Sequence, residues 1–196
     1  MKKILFIILF AAISGRIFAA DTDSAEEAKY TKSIENRTAE ILKVLALADT
    51  NKAATVHDIV ISQYRALRAW HDENDAKLKM AKGDTNATAQ IRGSLKQLHD
   101  HFLSALAEDL SAEQIEQVKD KMTYGKVEFT FKGYVAQYPD LTDSQKAEIL
   151  RMLKEAREEA MDGGSAAEKT AVFQRYKGKI NNYLSKQGIH PSKKET

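Results

Sequence analysis

Apolar residues recur at helical spacing along almost the whole of this chain, which contains only two prolines, Pro139 and Pro191. Residues three and four positions apart lie on one face of an α-helix, so each such stripe predicts a helix with one buried face. Breaks in the pattern at Asn51-Lys52 and at 83–85 predict helix boundaries. The cleanest stripe consists of Ile91, Leu95, Leu98, Phe102, Leu106 and Leu110.

Three later helix starts carry the pattern of a capping box, in which a hydroxyl residue precedes a Glu or Gln by three positions. The pairs are Ser111 with Gln114, Thr142 with Gln145, and Ser165 with Glu168. Gly163-Gly164 predicts the end of the helix after Thr142, because glycine accepts the left-handed backbone of a helix terminus. Gly188 predicts the end of the last helix.

The segment 127–131 alternates apolar and polar residues, as a strand does, yet Val127, Phe131, Tyr134 and Tyr138 also form a helical stripe. No second strand is available to pair with it, and an isolated strand is unstable, so we expect a helix. The predicted fold class is therefore all-α, a single-domain bundle of about six or seven helices.

Residues 1–20 have the pattern of an export signal peptide. Lys2 and Lys3 precede an apolar run over 4–13, and the small residues Ala19 and Ala20 precede an acidic stretch. The run is shorter than the ~20 residues that span a bilayer, so no stable membrane anchor is expected. We predict removal near Ala20, a single all-helical domain over 21–190, a tail over 191–196, and a periplasmic or secreted protein.

Charge and cysteine content exclude several functions. The chain has 30 Lys and Arg against 28 Asp and Glu, and loss of Lys2, Lys3 and Arg16 with the signal leaves 27 against 28. Nucleic acid is therefore not an expected partner, since phosphate binding needs a basic excess. The absence of cysteine excludes disulfides, thiolate metal sites and a thiol nucleophile.

Histidines do not predict a metal site. His99 and His101 are two positions apart on a helix, so their side chains point about 200° apart and are unable to share an ion. His71 could join Asp72 and Asp75, but three polar neighbours on one helix are typical of a solvated face. We therefore predict neither a metal nor another cofactor.

An acidic cluster on the helix after Thr142 is the remaining candidate for catalysis; it comprises Glu155, Glu158, Glu159 and Asp162. A glycosidase needs two carboxylates that face each other across the substrate, whereas these are neighbours along one helix. We interpret them as a solvated face paired with Lys154 and Arg157. No catalytic residue is assigned, and a non-enzymatic function is favoured.

Aromatic residues beyond position 120 lie among amides and cations, a combination that stacks on sugar rings and hydrogen-bonds their hydroxyls. Helical spacing accounts equally well for several of the rings as core. Gly178 inside a helix costs ~1 kcal/mol, which suggests close approach of a backbone or a ligand. The predicted ligand surface comprises Trp70, Tyr124, Tyr134, Arg157, Asp162, Lys177, Asn181 and Asn182.

Residues 156–165 and 173–184, together with 120–125 and 139–142, resemble a bacterial family called domain of unknown function 3826, which is described as sugar-binding. The resemblance covers most of the mature chain and is most specific from Met122 onward. It implies a secreted protein associated with the breakdown of pectin-type plant polysaccharides. It supplies no catalytic residues.

The leading hypothesis is a non-catalytic carbohydrate-associated accessory protein, with acidic sugars suited to Arg157 and Lys177. The alternative is a periplasmic helical chaperone or envelope-stress sensor, because 110–118 and 141–149 resemble the Leu-Thr-x-x-Gln motif of such proteins. Helix capping alone also explains that repeat. An enzyme acting on uronic-acid sugars through Glu158 or Asp162 is third.

Overall fold

The computed structural model describes residues 14–191. Most of the predicted signal peptide and nearly all of the predicted tail, from 192 onward, lie outside the described residues. Within the described range, no helix is both long enough and apolar enough to cross a membrane.

Seven α-helices account for most of residues 14–191, and that range contains no strand, which confirms the predicted all-α bundle. Helix α5 includes the ambiguous segment 127–131, so the helix expected there is confirmed. The helices are α1 (Ser14–Leu45), α2 (Thr50–Met80), α3 (Thr85–Ala107), α4 (Ala112–Met122), α5 (Lys126–Gln137), α6 (Asp143–Met161) and α7 (Ala166–Lys186).

The chain divides into two compact units, Met1–Asn36 and Arg37–Thr196. The described part of the first unit is the amino-terminal part of α1. In the second unit, α2 packs on α3, and α3 packs on α4. Helix α6 packs on three neighbours, α4, α5 and α7, and is therefore central to this unit.

The core of the second unit is centred on α6. Its residues Ile149, Leu153, Ala156 and Ala160 are fully buried, as their helical spacing predicts. They belong to one cluster with apolar residues of α5 and α7, which include Tyr134, Tyr138, Phe173, Tyr176, Ile180 and Leu184. Burial of such a cluster is the main favourable term in folding, so α6 orders the helices on either side of it.

Two of the three predicted capping boxes are complete. The Ser111 and Thr142 hydroxyls each accept the amide three residues on, and Gln114 and Gln145 accept the Ser111 and Thr142 amides at 3.0 and 2.9 Å. At the start of α7 the Ser165 hydroxyl accepts the Glu168 amide at 3.1 Å. The third box is incomplete, as described below.

The third box differs because the Glu168 carboxylate accepts the amide of Gly164 at 3.0 Å instead of the Ser165 amide. Gly163 and Gly164 also differ from expectation, since neither adopts the left-handed backbone predicted for them. Asp162 caps α6 in the right-handed region, where any residue fits. The predicted stop at Gly188 is confirmed, with φ of 70°.

The predicted boundary at Asn51-Lys52 is wrong by a few residues. Helix α1 ends at Leu45, and the N-cap of α2 is Asp49. The Asp49 carboxylate accepts the amides of Asn51 and Lys52 at 2.8 and 3.2 Å, so these residues form the first turn of α2. Asp49 has the side chain that an N-cap position favours.

We expect Thr142→Ala to lower the free energy of unfolding by about 1 kcal/mol, because the substitution removes the hydroxyl that caps α6. Thr142→Ser keeps the hydroxyl and should retain most of the stability. Urea denaturation followed by circular dichroism measures both. Equal stability of the Ala and Ser variants would contradict the capping role.

Candidate functional site

A cavity of about 610 Å³ lies among α2, α3, α6 and α7, wholly within the second unit. Apolar side chains of α2, α3 and α7 form part of its wall, namely Trp70, Leu78, Leu95, Ala171 and Val172. Hydrogen-bonding groups from all four helices and from Asp162 complete it. The cavity is therefore amphipathic, as small-molecule sites usually are.

Carboxylates are the commonest polar groups in this wall. Six line it: Asp75, Asp100, Glu158, Glu159, Asp162 and Glu168. The permanent cations are Arg92, Lys96 and Arg175, and the histidines are His71 and His99. Even with both histidines protonated, six negative charges face five positive ones. The cavity therefore carries a negative excess.

Asp162, the C-cap residue of α6, contacts two histidines from two other helices. Its backbone carbonyl accepts from His71 Nε2 at 2.7 Å, and its carboxylate accepts from His99 Nδ1 at 3.0 Å. The Asp162 side chain is only 15% exposed. The carboxyl end of α6 is thereby held against both α2 and α3.

Both ring nitrogens of His71 face oxygen acceptors, since Nδ1 lies 3.0 Å from Asp75 Oδ1. A neutral imidazole has a single N–H, so the ring donates to both acceptors only as imidazolium. Burial lowers the pKa of His71, but the Asp162 carbonyl and the Asp75 and Glu168 carboxylates outweigh this effect. The pKa of His71 is therefore raised above its usual value.

His99 has a similar environment. Its hydrogen bond to Asp162 raises the pKa of the ring, and the charges of Asp162 and Glu158 add to this, against the lowering effects of burial and Lys119. Glu158 Oε2 lies 3.7 Å from His99 Nε2 and 2.9 Å from Lys119 Nζ. The net result is a pKa above the usual value of histidine.

Lys169 lies buried beside the loop between α6 and α7. Its Nζ donates to the Met161 carbonyl at 2.9 Å. Burial lowers the pKa of Lys169 to about 8, although the charges of Asp162 and Glu168 act in the opposite direction. The hydrogen bond from Lys169 satisfies the Met161 carbonyl at the end of α6.

Close packing explains the glycines of this loop. A Cβ at Gly164 would lie 2.8 Å from two carbons of the His71 ring, and a Cβ at Gly163 would lie 3.2 Å from Lys169 Cγ. Gly164 is thus needed for the approach of the His71 ring, and a side chain at Gly163 would make a tight contact with Lys169. In contrast, a Cβ at Gly178 would meet no atom within 4 Å, so the close backbone approach suggested for that residue is absent.

Two of the eight predicted ligand residues, Trp70 and Asp162, line this cavity. The Trp70 ring is mostly buried, and its Nε1 donates to Ser94 Oγ at 2.8 Å. Its neighbour His71 meets it edge to face, with ring centroids 5.0 Å apart. Trp70 therefore contributes an apolar wall and also positions His71.

Three further predicted residues form a separate cluster between α5 and α7. The Tyr134 hydroxyl lies 2.9 Å from Asn181 Oδ1 and 3.2 Å from the Lys177 carbonyl. Burial raises the pKa of Tyr134 to about 12. This cluster satisfies a buried phenol, which is a structural role.

Arg157 is buried, and its guanidinium binds the α4 carboxylates. Nη1 donates to Asp120 at 2.7 Å, and Nη2 donates to Glu116 at 2.7 and 2.8 Å.

The remaining predicted residues, Tyr124 and Asn182, lie elsewhere on the second unit. Tyr124 is half-exposed, with Arg37 lying 6.0 Å above its ring, and Asn182 is exposed.

The acidic cluster of α6 does not form one solvated face. Glu155 pairs with Arg151, but Glu158, Glu159 and Asp162 line the cavity. Their partners include His99 of α3, Lys119 of α4 and Arg175 of α7. Sequence neighbours along α6 thus bind residues of three other helices, which a helical wheel does not show.

Two glycine substitutions should have opposite effects. We expect Gly164→Ala to destabilise the fold by about 1–3 kcal/mol, because the new methyl group overlaps the His71 ring. Gly178→Ala should stabilise it by up to about 1 kcal/mol, since alanine is the better helix former and the space is open. Urea denaturation compares the two, and a stabilising Gly164→Ala would contradict the packing described.

We expect the free energy of unfolding to fall as pH rises from about 6.5 through the raised pKa values of His71 and His99. Below pH about 6.5 the two histidines are protonated in the folded and in the unfolded protein, and their favourable contribution to the free energy of unfolding is complete. Above their pKa values in the folded protein this contribution is lost. The lowered pKa of Lys169 has the opposite effect on stability. Protonated Lys169 destabilises the folded protein, and this cost to the free energy of unfolding disappears as pH rises from about 8 toward ~10.4.

Urea denaturation over this pH range measures both slopes. His71→Gln and His99→Gln should each flatten the fall, whereas His101→Gln should not, because His101 lines a different cavity. A wild-type stability that does not fall above pH ~6.5 would contradict the assignment.

None of the curated proteins matches this sequence. Residues 31–196 match a family whose description is "Protein of unknown function (DUF3826)". This match covers far more than half of the chain and includes every helix that lines the cavity. The chain therefore belongs to the DUF3826 family.

Proposed function

We propose that this protein is a secreted or periplasmic, non-catalytic carbohydrate-binding protein whose ligand occupies the cavity among α2, α3, α6 and α7. The observation that carries the proposal is the presence of the Trp70 wall and of several carboxylates and imidazoles in one cavity. The sugar-binding description of the family that residues 156–165 and 173–184 resemble agrees with this proposal. The export pattern of residues 1–20 supports the location.

Sugar rings offer apolar C–H faces and a periphery of hydroxyls. The apolar wall formed by Trp70, Leu95 and Val172 suits the first, and carboxylates, which accept several hydrogen bonds each, suit the second. The volume of about 610 Å³ lies within the range of roughly 300–1,000 Å³ that is typical of small-molecule sites. A mono- or disaccharide is therefore the expected size of ligand.

The negative excess of the cavity favours a neutral sugar over a uronic acid. A bound uronate would place one more carboxylate among six, with three permanent cations to balance them. Arg175 already pairs with Glu159, and Lys96 pairs with Asp100. Arg157 and Lys177, which suggested acidic sugars, do not line the cavity.

An enzyme acting on sugars is the second candidate. His99 lies between Glu158 and Asp162, and groups with shifted pKa values inside a cavity are typical of catalytic sites. The chaperone alternative has no comparable observation in its favour. The two repeated segments begin α4 and α6, and each forms a complete capping box.

Titration calorimetry against a panel of neutral and uronic mono- and oligosaccharides tests the proposal. We expect saturable heat with a neutral sugar and weaker binding of its uronic counterpart. Ala171→Trp places an indole in the cavity and should weaken binding at least tenfold, on the order of 1.4 kcal/mol. Gln174→Trp, an exposed position of the same helix that does not line the cavity, is the matched control.

The carbohydrate proposal would be overturned if no sugar of the panel gave saturable heat, or if both tryptophan variants bound the sugar equally well. The same mixtures, assayed for new reducing ends, distinguish a binding protein from an enzyme. Product formation that Glu158→Gln abolishes, with the fold intact, would favour the enzyme.

A further inference from the structure

His71, Asp75 and Glu168 bring one imidazole nitrogen and two carboxylate oxygens together in the cavity wall. These three ligand atoms lie within 4.8 Å of one another. Two of the residues come from one turn of α2, and the third comes from the first turn of α7. We propose that they form a binding site for one divalent first-row transition cation, with Zn²⁺ the best match.

The separations suit a metal ion. Zn–N and Zn–O bonds of about 2.0–2.2 Å at a tetrahedral angle place two donor atoms about 3.4 Å apart. His71 Nδ1 lies 3.0 Å from Asp75 Oδ1 and 3.7 Å from Glu168 Oε2, so the observed distances lie on either side of that value. Little rearrangement is needed to place an ion among them.

The His71 ring is held in the orientation that a ligand requires. Its Nε2 donates to the Asp162 carbonyl at 2.7 Å, the contact by which metal-binding histidines direct the other nitrogen toward the ion. Gly164 packs directly on the ring, and Trp70 meets it edge to face. The other nitrogen, Nδ1, lies beside the two carboxylates, and a bound metal ion would take the place of its proton.

Glu168 can serve the ion without losing its role at the start of α7. Its Oε2 accepts the Gly164 amide at 3.0 Å, and its Oε1 lies 3.1 Å from Ser165 Oγ. An ionised carboxylate has about four lone-pair positions, so Oε2 can accept the amide and bind a metal together. Both Glu168 and Asp75 are about half-exposed, and an ion can reach them from solvent.

The composition of the site selects the class of ion. Imidazole favours zinc, iron, nickel or copper, whereas Mg²⁺ and Ca²⁺ prefer an all-oxygen set. Three protein ligands would leave one tetrahedral position open, as in catalytic zinc sites. The surrounding excess of carboxylates attracts a cation to this position.

Titration calorimetry of the full chain, without an affinity tag and without sugar, tests the site with Zn²⁺ alone. We expect one ion per chain, and binding that is at least about tenfold weaker in His71→Gln, Asp75→Asn and Glu168→Gln. Glu168→Gln is the most informative variant. The amide oxygen of glutamine can still accept the Gly164 amide, as the Glu168 carboxylate does, but it is a poor metal ligand. Circular dichroism melting checks that each variant is folded.

His101→Gln is the matched control, since this histidine lies in the wall of a different cavity and is not one of the three ligands. It should bind Zn²⁺ as the wild type does. Three results would overturn the proposal: no saturable Zn²⁺ binding by the wild type, equal loss in His101→Gln, or equally tight binding of Mg²⁺. Because no sugar is present, the outcome is independent of the carbohydrate proposal.

Discussion

The arrangement of the second unit depends on the burial of α6. One face of this helix is fully apolar and packs into a cluster with α5 and α7. Another face carries Arg157, whose guanidinium binds Glu116 and Asp120 of α4. The free energy of apolar burial holds α6 in position, and the arginine pairs add direction because their geometry is specific. Three neighbouring helices are placed as a result.

The position of α6 also determines where its last turn ends, and the cavity is built around that end. Asp162 reaches His71 through its carbonyl and His99 through its carboxylate. A buried acceptor left without a donor would be unfavourable, so the two histidines and the helix end stabilise one another. The polar wall of the cavity is therefore a connected set of contacts between helices. Preorganised walls of this kind favour ligand binding in general.

The loop between α6 and α7 shows how several requirements meet in a few residues. Gly164 must lack a side chain because the His71 ring lies against it, and its amide is accepted by Glu168. Glu168 in turn lies 3.7 Å from His71 Nδ1. The glycine pair that the sequence predicts as a helix stop is thus part of the candidate site. Its role in packing, and not its backbone freedom, accounts for it.

Most of the helices are predictable from the amino-acid sequence, because helical spacing and capping are local properties of the chain. The stripe of Ile149, Leu153, Ala156 and Ala160 and the capping boxes at Ser111 and Thr142 follow from residues within a few positions. The helix over 127–131 needed the further observation that no second strand is available to pair with that segment. Which polar residues meet depends instead on how the helices pack. His71 and Glu168 are 97 positions apart, and Tyr134 and Asn181 are joined by a hydrogen bond that no spacing rule predicts. Local patterns identify the face that is buried, but the packing of helices decides what that face meets.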